Sequence, residues 1–362
     1  MTCDTCYVLD RMNGYKCPSW ISNNAKMMHT MSTQSKLPKP VQGFLTEKHF
    51  TLQATLKNSR YFLMRVATSQ ADIQLMLKIE KSNPRTSLQQ RNHILWTKSV
   101  AHTVPQNAPF HIVPILEDGY LEGVGYWFTM PFIEGQSFAA MNDDRLSAVT
   151  ISHPEEVMPR IVSLIKYIEK TPALSVDGID ARYGKIPNRR DKLTLLETAI
   201  SWARNDTPYL AELLQLIQAN YAYLGSANAH GDFTESNLII NQKREPVLID
   251  AEISSAFHYK YYDVAEFYNR LFTRACAPEL AATFLREYVH TLPQRSVQKF
   301  LTNFLCLSAL RCIGNFMEIA ALPEGIGKQK RLEYANRYAT TIVTYDILQF
   351  DTQALKNSTH ET

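Results

Sequence analysis

The sequence lacks the features that mark several specialised classes of protein. It has no run of about 18 apolar residues, no signal-peptide core near its start, and no internal repeat or low-complexity tract. Six cysteines among 362 residues are too few for a disulfide scaffold. The net charge is only +3, so charge does not indicate binding to nucleic acid or to an anionic membrane. Without a membrane span or a signal peptide, the chain is expected to be cytoplasmic. Its 362 residues, 45% of them hydrophobic, are enough to fold as two packed units.

Residues 1–40 are polar and carry no periodic apolar pattern, so we interpret them as a disordered extension. The alternative is a zinc site, because two thiolates separated by two residues can share one metal ion. Its four ligands would be Cys3, Cys6, Cys17 and His29. No second cysteine pair with this spacing follows, which favours the extension. Met27, Met28 and Met31 also leave open a later start of translation.

Residues 41–135 have the texture of a small β-rich lobe. The runs "FTLQATL", "YFLMRVA" and "IQLMLKIE" are separated by turn-forming residues and predict an antiparallel meander. "SLQQRNHILWTKSV" has helical spacing. "FHIVPIL" and "GYWFTMPFI" predict two further strands, which "EDGYLEGVG" separates. The lobe is therefore expected to hold an antiparallel sheet and one helix.

Residues 136–362 are predicted to form a larger, mainly helical lobe. Apolar residues recur at intervals of three and four in successive segments, which is typical of amphipathic helices. One short β island, "NLIIN-QKREP-VLID", interrupts this pattern and predicts a β-hairpin. The predicted fold class is therefore α+β and bilobal.

The stretch "HGDFTESNLIINQKREPVLIDAE" (230–252) contains the residues with the clearest chemistry. Asn237 follows Asp232 by five residues, and Asp250 follows Asn237 by thirteen. The predicted hairpin brings Asn237 and Asp250 together, with Asp232 in the loop just before it. An amide oxygen and a carboxylate are hard ligands of the kind that Mg²⁺ prefers. A second carboxylate, free of metal, can accept a proton from an attacking hydroxyl. The arrangement indicates phosphoryl transfer from a Mg-nucleotide.

These motifs resemble the aminoglycoside phosphotransferase and choline kinase superfamily, which has a bilobal protein-kinase-like fold. The matching elements are H-G-D-x4-N (230–237), I-D-x-E (249–252), a hinge-like "MPFIEGQSF" (130–138) and "YYDVAEF" (261–267). The likeness extends over about residues 41 to 290. It implies that Asp232 is the catalytic base and that Asn237 and Asp250 hold Mg²⁺. His230 is expected to support the loop by hydrogen bonds. Thr234 stands where protein kinases usually have a lysine, which favours the small-molecule branch.

On the nucleotide side, the resemblance implies a strand lysine that contacts the α- and β-phosphates of ATP. Lys78 in "LMLKIE" fits that pattern, and Arg65 in "FLMRV" is the competitor if the strand register shifts. A glycine-rich phosphate loop is missing, because the corresponding turn offers only Asn58 and Ser59.

The family's lysine pairs with a helix glutamate, yet residues 81–103 contain neither Glu nor Asp. Gln90 lies nearest to the expected position, and Arg91 and His93 are possible in other alignments. A neutral partner would orient Lys78 by hydrogen bonding instead of ion pairing.

The resemblance also places adenine against the connection between the lobes. Met130 would line the back of the pocket, while the carbonyl of Pro131 and the N–H of Ile133 would face the base edge, since proline has no N–H.

The acceptor is indicated less directly. Acidic residues near the catalytic loop would suit a cationic acceptor; these are Glu235, Glu252, Asp263 and Glu266. For Asp263 we favour a helix cap over acceptor binding. The basic segment 182–192 is interpreted as a solvated loop, with an anionic acceptor as the alternative.

The expected function is an ATP- and Mg²⁺-dependent kinase of a small hydroxylated molecule such as an aminoglycoside, amino alcohol or sugar. A kinase of proteins or cell-envelope glycans and an inactive kinase-like binding module are the alternatives.

Overall fold

The computed structural model describes residues 37–56, 60–68, 73–81, 84–142, 146–171 and 192–345. Several predictions lie outside these residues: the zinc ligands of the N-terminal extension, the turn at Asn58 and Ser59, and all but the last residue of the basic segment 182–192.

The N-terminal lobe is built on a five-stranded antiparallel sheet with the strand order β1-β2-β3-β6-β5. The strands are β1 (Phe50–Leu56), β2 (Tyr61–Thr68), β3 (Gln74–Glu80), β5 (Glu117–Leu121) and β6 (Gly125–Pro131). The first three form the predicted meander. Side chains on successive residues point to opposite faces of a sheet, so each strand contributes to two different packing surfaces.

The outer face of the sheet is covered by helix α1 (Lys39–Glu47). This helix begins just before the predicted start of the lobe, so the described part of the lobe holds two helices, where one was predicted. Its buried residues Val41, Phe44 and Leu45 follow helical spacing. They pack with Met64 and other outer-face residues. The stretch is short, and apolar positions in nine residues do not separate a helix from a loop.

The inner face of the sheet packs on helix α2 (Pro84–Ala101), which was predicted. The strand predicted in "FHIVPIL" is present but is much shorter than predicted and lies outside the five-stranded sheet. Only β4 (His111–Ile112) is extended there, and it pairs with the other lobe. The sheet strand is β5, whose sequence EDGYL was taken as a connection. An edge strand can be polar because one side faces water, which explains the error.

The larger lobe is mainly helical. Its helices are α3 (Met158–Lys170), α4 (Lys192–Trp202), α5 (Leu210–Asn220), α6 (Tyr262–Thr273), α7 (Pro278–His290), α8 (Gln294–Ala320) and α9 (Ile326–Val343). Within the described ranges, α8 alone is long and apolar enough to cross a membrane, but 94% of its most apolar window is buried inside the protein. Such burial is typical of a core helix.

Short strands connect the two lobes and position the loops that follow. The predicted hairpin is formed by β11 (Leu238–Ile240) and β12 (Pro246–Leu248), in which Leu238 pairs with Leu248. It is flanked by β4 on one side and by β7 (Gln136–Ser137) on the other. The remaining strands form two pairs: β8 (Ala139–Met141) with β9 (Ser147–Val149), and β10 (Ser226–Ala229) with β13 (Ser255–Tyr259).

Candidate active site

The catalytic-loop residues Asp232 and Asn237 lie between β10 and β11 and contact each other. The amide nitrogen Nδ2 of Asn237 donates to the backbone carbonyl of Asp232 at 2.8 Å and lies 3.3 Å from its Oδ2. A carbonyl oxygen cannot donate, so the nitrogen of Asn237 must face it. The amide oxygen of Asn237 is thereby left as the atom that can bind a cation.

Asp250 follows β12 and lies at the other end of the hairpin. The backbone N–H of Ile249 donates to the carbonyl of Asn237 at 3.1 Å, which ties the two ends together. Asp250 has a φ of 64°, a left-handed conformation that aspartate tolerates better than most residues. The hairpin was predicted to bring Asn237 and Asp250 together, and the structure places them in this arrangement.

Lys78 lies on the inner face of β3 and points between the lobes. Its ammonium Nζ is 2.9 Å from Oδ1 of Asp250 and 2.5 Å from Oε1 of Glu252. The same ammonium lies 4.1 Å from the ring centre of Tyr61. The Lys78 side chain is 5% exposed, so these carboxylates supply the charge that a buried ammonium needs.

Arg65, the competitor for the phosphate-binding role, has different neighbours. Its Nε donates to Oε1 of Gln74 at 3.0 Å, and its guanidinium stacks on Phe132 at 4.1 Å. The register of β2 and β3 pairs Arg65 with Met76, whereas Lys78 pairs with Leu63. Of the two basic residues, Lys78 is therefore the one placed beside Asp250.

The charge state of Asp250 follows from its surroundings. Burial alone would raise the pKa of its carboxyl, but the Lys78 ammonium and the Arg60 guanidinium outweigh that effect and hold the pKa below its ordinary value. An ionised carboxylate and the amide oxygen of Asn237 form a donor set of hard oxygens. These residues fit Mg²⁺, with phosphate oxygens able to complete the coordination.

Asp263 of α6 holds the start of the catalytic loop (residues 230–237) by two hydrogen bonds. Its Oδ2 accepts from the N–H of His230 at 2.7 Å and its Oδ1 from the N–H of Gly231 at 2.9 Å. Gly231 has a φ of 76°, and a Cβ there would collide with the carbonyl of Ile253. The prediction that Asp263 caps its helix is wrong, because its carboxylate binds the loop and makes no capping bond to α6.

His230 supports the loop in the way predicted. Its ring is fully buried, and Nε2 lies 3.0 Å from the carbonyl of Ile249, the residue before Asp250. Burial lowers the pKa of His230 even though Asp232 and Asp250 favour its charged form. A neutral, hydrogen-bonded imidazole ties the catalytic loop to the end of β12.

The acidic residues predicted to bind a cationic acceptor have other partners. Glu235 accepts from the hydroxyl of Ser147, at 2.5 Å. Glu266 pairs with two arginines inside the larger lobe, namely Arg270 at 2.8 Å and Arg311 at 2.5 Å. Glu252 pairs with Lys78 and Arg60, and Asp263 holds the catalytic loop. The expectation that these four carboxylates receive a cationic acceptor is therefore not supported by the structure.

The helix that was expected to orient Lys78 contacts it differently from the prediction. Nε2 of Gln90 donates to the backbone carbonyl of Lys78 at 3.2 Å and not to its side chain. Nδ1 of His93 lies 3.5 Å from Oδ1 of Asp250. Burial and the nearby Lys78 hold the pKa of His93 well below its ordinary value, so its ring is neutral. The ammonium of Lys78 instead contacts Glu252, which lies on the same loop after β12 as Asp250.

The predicted adenine-binding segment lies at the end of β6. Met130 is buried in an apolar cluster between the lobes, together with Leu63, Met76, Ile239 and Ile249. Pro131 and Ile133 are half-buried at the edge of this cluster. The segment is fixed to β3 by a bond from the N–H of Phe132 to the carbonyl of Gln74. Residues from both lobes thus form the apolar surface on which a flat base could lie.

Two residues of this site were missed from the sequence. Arg60 places Nη1 2.8 Å from Oε2 of Glu252, and Asn92 donates to the backbone of the loop that carries Glu252. Arg60 directly follows the turn where a glycine-rich loop was expected. That position was the one feature of the sequence that could have indicated its place in the site. An asparagine inside a helix carries no sequence signal of this kind.

Neither a protein-family model nor a curated protein sequence matches the chain. Solved structures do match it. The GDP complex of aminoglycoside 2'-phosphotransferase-IIIa has a TM-score of 0.51 at 11% identity, covering 84% of this chain and 99% of the other. Aminoglycoside phosphotransferase APH(4)-Ia has a TM-score of 0.53 at 13% identity, covering 84% and 98%. Plasmodium vivax ethanolamine kinase has a TM-score of 0.50 at 13% identity, covering 79% and 82%. The predicted fold is confirmed: the chain shares the bilobal, kinase-like fold of these aminoglycoside phosphotransferases and of the ethanolamine kinase.

Proposed function

We propose that this protein is an ATP- and Mg²⁺-dependent phosphotransferase that moves the γ-phosphate of ATP to a hydroxyl group of a small molecule. The observation that carries the proposal is the convergence of four side chains between the lobes. Asn237 contacts Asp232, and Lys78 contacts Asp250. A base, two metal ligands and a phosphate-binding cation are the parts that phosphoryl transfer requires.

Each of these residues has a definite task in this proposal. Asp232 is half-buried, so it can meet an acceptor hydroxyl and take its proton. Asn237 holds the carboxylate of Asp232 in position through its amide nitrogen and offers its oxygen to the metal. Asp250 provides the second metal ligand, and Lys78 contacts the α- and β-phosphates. Bound Mg²⁺ supplies positive charge that offsets the charge on the phosphate oxygens.

The adenine of ATP is assigned to the apolar cluster at the end of β6. Met130 would line the back of the pocket, with the Pro131 carbonyl and the Ile133 N–H at the base edge. Structures that resemble this chain include complexes with GDP, ADP and AMP-PNP, which supports nucleotide binding here.

For the acceptor, we propose a small molecule that is recognised through its hydroxyl groups. The four carboxylates once expected to recognise a cation are engaged elsewhere, so recognition would depend on hydrogen bonding to hydroxyl groups. Structures that resemble this chain include complexes with hygromycin B and kanamycin, both of which present hydroxyls. Thr234, in place of the usual lysine, favours a small molecule over a protein.

The competing interpretation is an inactive kinase-like binding module. It is favoured by the absence of any acidic residue from α2 (Pro84–Ala101) and by the missing glycine-rich turn before Arg60. Screening purified protein with γ-labelled ATP and Mg²⁺ against pooled alcohols, amino sugars, sugars and aminoglycosides tests both interpretations. The proposal expects label in at least one pool and its loss in Asp232→Asn. Equal labelling in the variant would exclude Asp232 as the base, whereas nucleotide binding with no labelled pool would support the binding module.

A further inference from the structure

Kinases of this fold commonly orient the strand lysine with a glutamate on the N-lobe helix, and the ion pair must form for activity. Helix α2 lacks such an acid. We infer that Glu252, on the loop that follows the metal ligand Asp250, is the residue that positions Lys78 for nucleotide phosphates. The inference rests on the proposed function, because it assigns Lys78 a phosphate-binding role.

The carboxylate of Glu252 contacts two cations. Oε1 of Glu252 lies 2.5 Å from the ammonium of Lys78, and Oε2 lies 2.8 Å from Nη1 of Arg60. The side chains of Glu252 and Lys78 are each 5% exposed. One carboxylate therefore holds two cations, Lys78 in β3 and Arg60 just before β2, and solvent screens these contacts little.

Asp250 also contacts Lys78, but its carboxylate has a second expected partner. Oδ1 of Asp250 is shared between the ammonium and the expected metal site, so a bound cation competes with Lys78 for that carboxylate. Glu252 differs in that both of its oxygens contact cations, Oε1 the Lys78 ammonium and Oε2 the Arg60 guanidinium. Among the described residues, Asp250 and Glu252 are the acids that pair with Lys78, so the loss of Asp250 to a metal would leave Glu252.

Helix α2 supports the loop that carries Glu252. Nδ2 of Asn92 donates to the carbonyl of Glu252 at 3.1 Å and to that of Ser254 at 2.8 Å. Oε1 of Gln89 accepts from Nη1 of Arg60 at 3.2 Å. The helix thus contributes amides that hold the loop and the second cation, while the loop contributes the acid. The acid beside Lys78 therefore lies on the loop and not on the helix, and the helix holds that loop in place.

The pairing can be tested without nucleotide or catalysis. Mild acylation of the folded protein, followed by mass spectrometry of the Lys78 peptide, reports how strongly its amine is held. Glu252→Gln should increase modification of Lys78 severalfold and leave Lys48 unchanged. Lys48 forms an exposed pair with Glu117 at 3.2 Å, so Glu117→Gln is the matched control and should not affect Lys78. Equal modification of Lys78 in wild type and Glu252→Gln would overturn the inference even if the protein is an active kinase.

The positioning role is tested by nucleotide binding. Glu252→Gln should weaken ADP binding by about 10- to 100-fold, as is typical when a supporting partner of a ligand-binding group is lost. The loss should persist in EDTA, because it acts through Lys78 and not through a metal. A loss seen only with Mg²⁺ would make Glu252 a metal ligand and overturn the inference. Glu252→Asp, which keeps the charge but shortens the side chain, should show a smaller loss and serves if the glutamine variant does not fold.

The sharpest test is a double variant that removes the carboxylate from the loop and places one on helix α2. His93 faces Asp250 at 3.5 Å from α2, so His93→Glu returns an acid to the helix side of Lys78. In the Glu252→Gln background it should recover most of the lost ADP affinity. Failure of the double variant to bind better than Glu252→Gln would contradict a positioning role that depends on charge.

Discussion

Lys78 and Asp250 are 172 residues apart in the sequence, yet their Nζ and Oδ1 atoms lie 2.9 Å apart. One residue belongs to the sheet of the small lobe and the other follows the hairpin of the large lobe. The contact therefore closes the space between the lobes at the point where ATP phosphates and Mg²⁺ are expected. A nucleotide must displace part of this ion-pair network when it binds, and several of the outcomes expected below follow from that competition.

Asp232→Asn is expected to reduce turnover by roughly 10²–10⁴-fold, because the amide keeps the shape of the side chain but cannot accept a proton. Nucleotide affinity should change little, since Asp232 is not assigned to nucleotide binding. Steady-state kinetics with the acceptor found in the screen, together with a binding titration, separates the two effects. Wild-type turnover in this variant would exclude Asp232 as the base.

Lys78→Ala is expected to lower kcat/KM for ATP by roughly 10²-fold, because a preorganised cation at the phosphates is lost. Arg65→Ala is the matched control, since Arg65 contacts Gln74 and Phe132 and lies apart from the two acids. Its effect should be confined to stability. If Arg65→Ala impairs ATP use more than Lys78→Ala does, the phosphate-binding role belongs to Arg65.

Asp250→Ala is expected to abolish the Mg²⁺ dependence of nucleotide binding. Titration of a fluorescent ATP analogue should show tighter binding with Mg²⁺ than with EDTA in wild type, because the ionised Asp250 and the Asn237 oxygen hold the cation. The variant should bind equally in both buffers. An active kinase requires this difference, whereas equal binding in wild type and variant alike would favour the binding module.

Asp263 provides a pH prediction. Burial raises the pKa of its carboxyl from the ordinary value of 3.8 to about 7, although two backbone N–H groups oppose this shift. Because the folded pKa lies above the unfolded one, its contribution to stability is fully present below about pH 4 and is lost as the pH rises through about 7. Tm of wild type relative to Asp263→Asn should therefore fall between about pH 4 and about pH 8. A difference that stays constant or grows with pH would contradict this assignment.

The proximity of Asp232, Asn237 and Asp250 was predictable because the information for it is local. Asp232, Asn237 and Asp250 belong to a single loop and hairpin, and a hairpin of apolar strands brings its two ends together whatever the rest of the chain does. The meander of β1 to β3 was predictable for the same reason. Alternating apolar residues and short turns specify neighbouring antiparallel strands.

What could not be predicted depends on contacts between distant segments. Asp263 has the sequence position of a helix cap, but its carboxylate binds the loop at His230, which only the packing of α6 under that loop reveals. Glu252 resembled an acceptor-binding acid because its partners, Lys78 and Arg60, come from the other lobe. Strand β5 was missed because its polar sequence satisfies an edge position.

Helix α8 has a consequence for handling the protein. Of its most apolar 18-residue window, 94% is buried inside the protein. Once that lobe opens, a long and strongly apolar segment becomes exposed to other opened chains, and such segments aggregate faster than they refold. Heat inactivation is therefore expected to be irreversible. The useful measure of its resistance is a half-life at a stated temperature, set by the rate at which the large lobe opens.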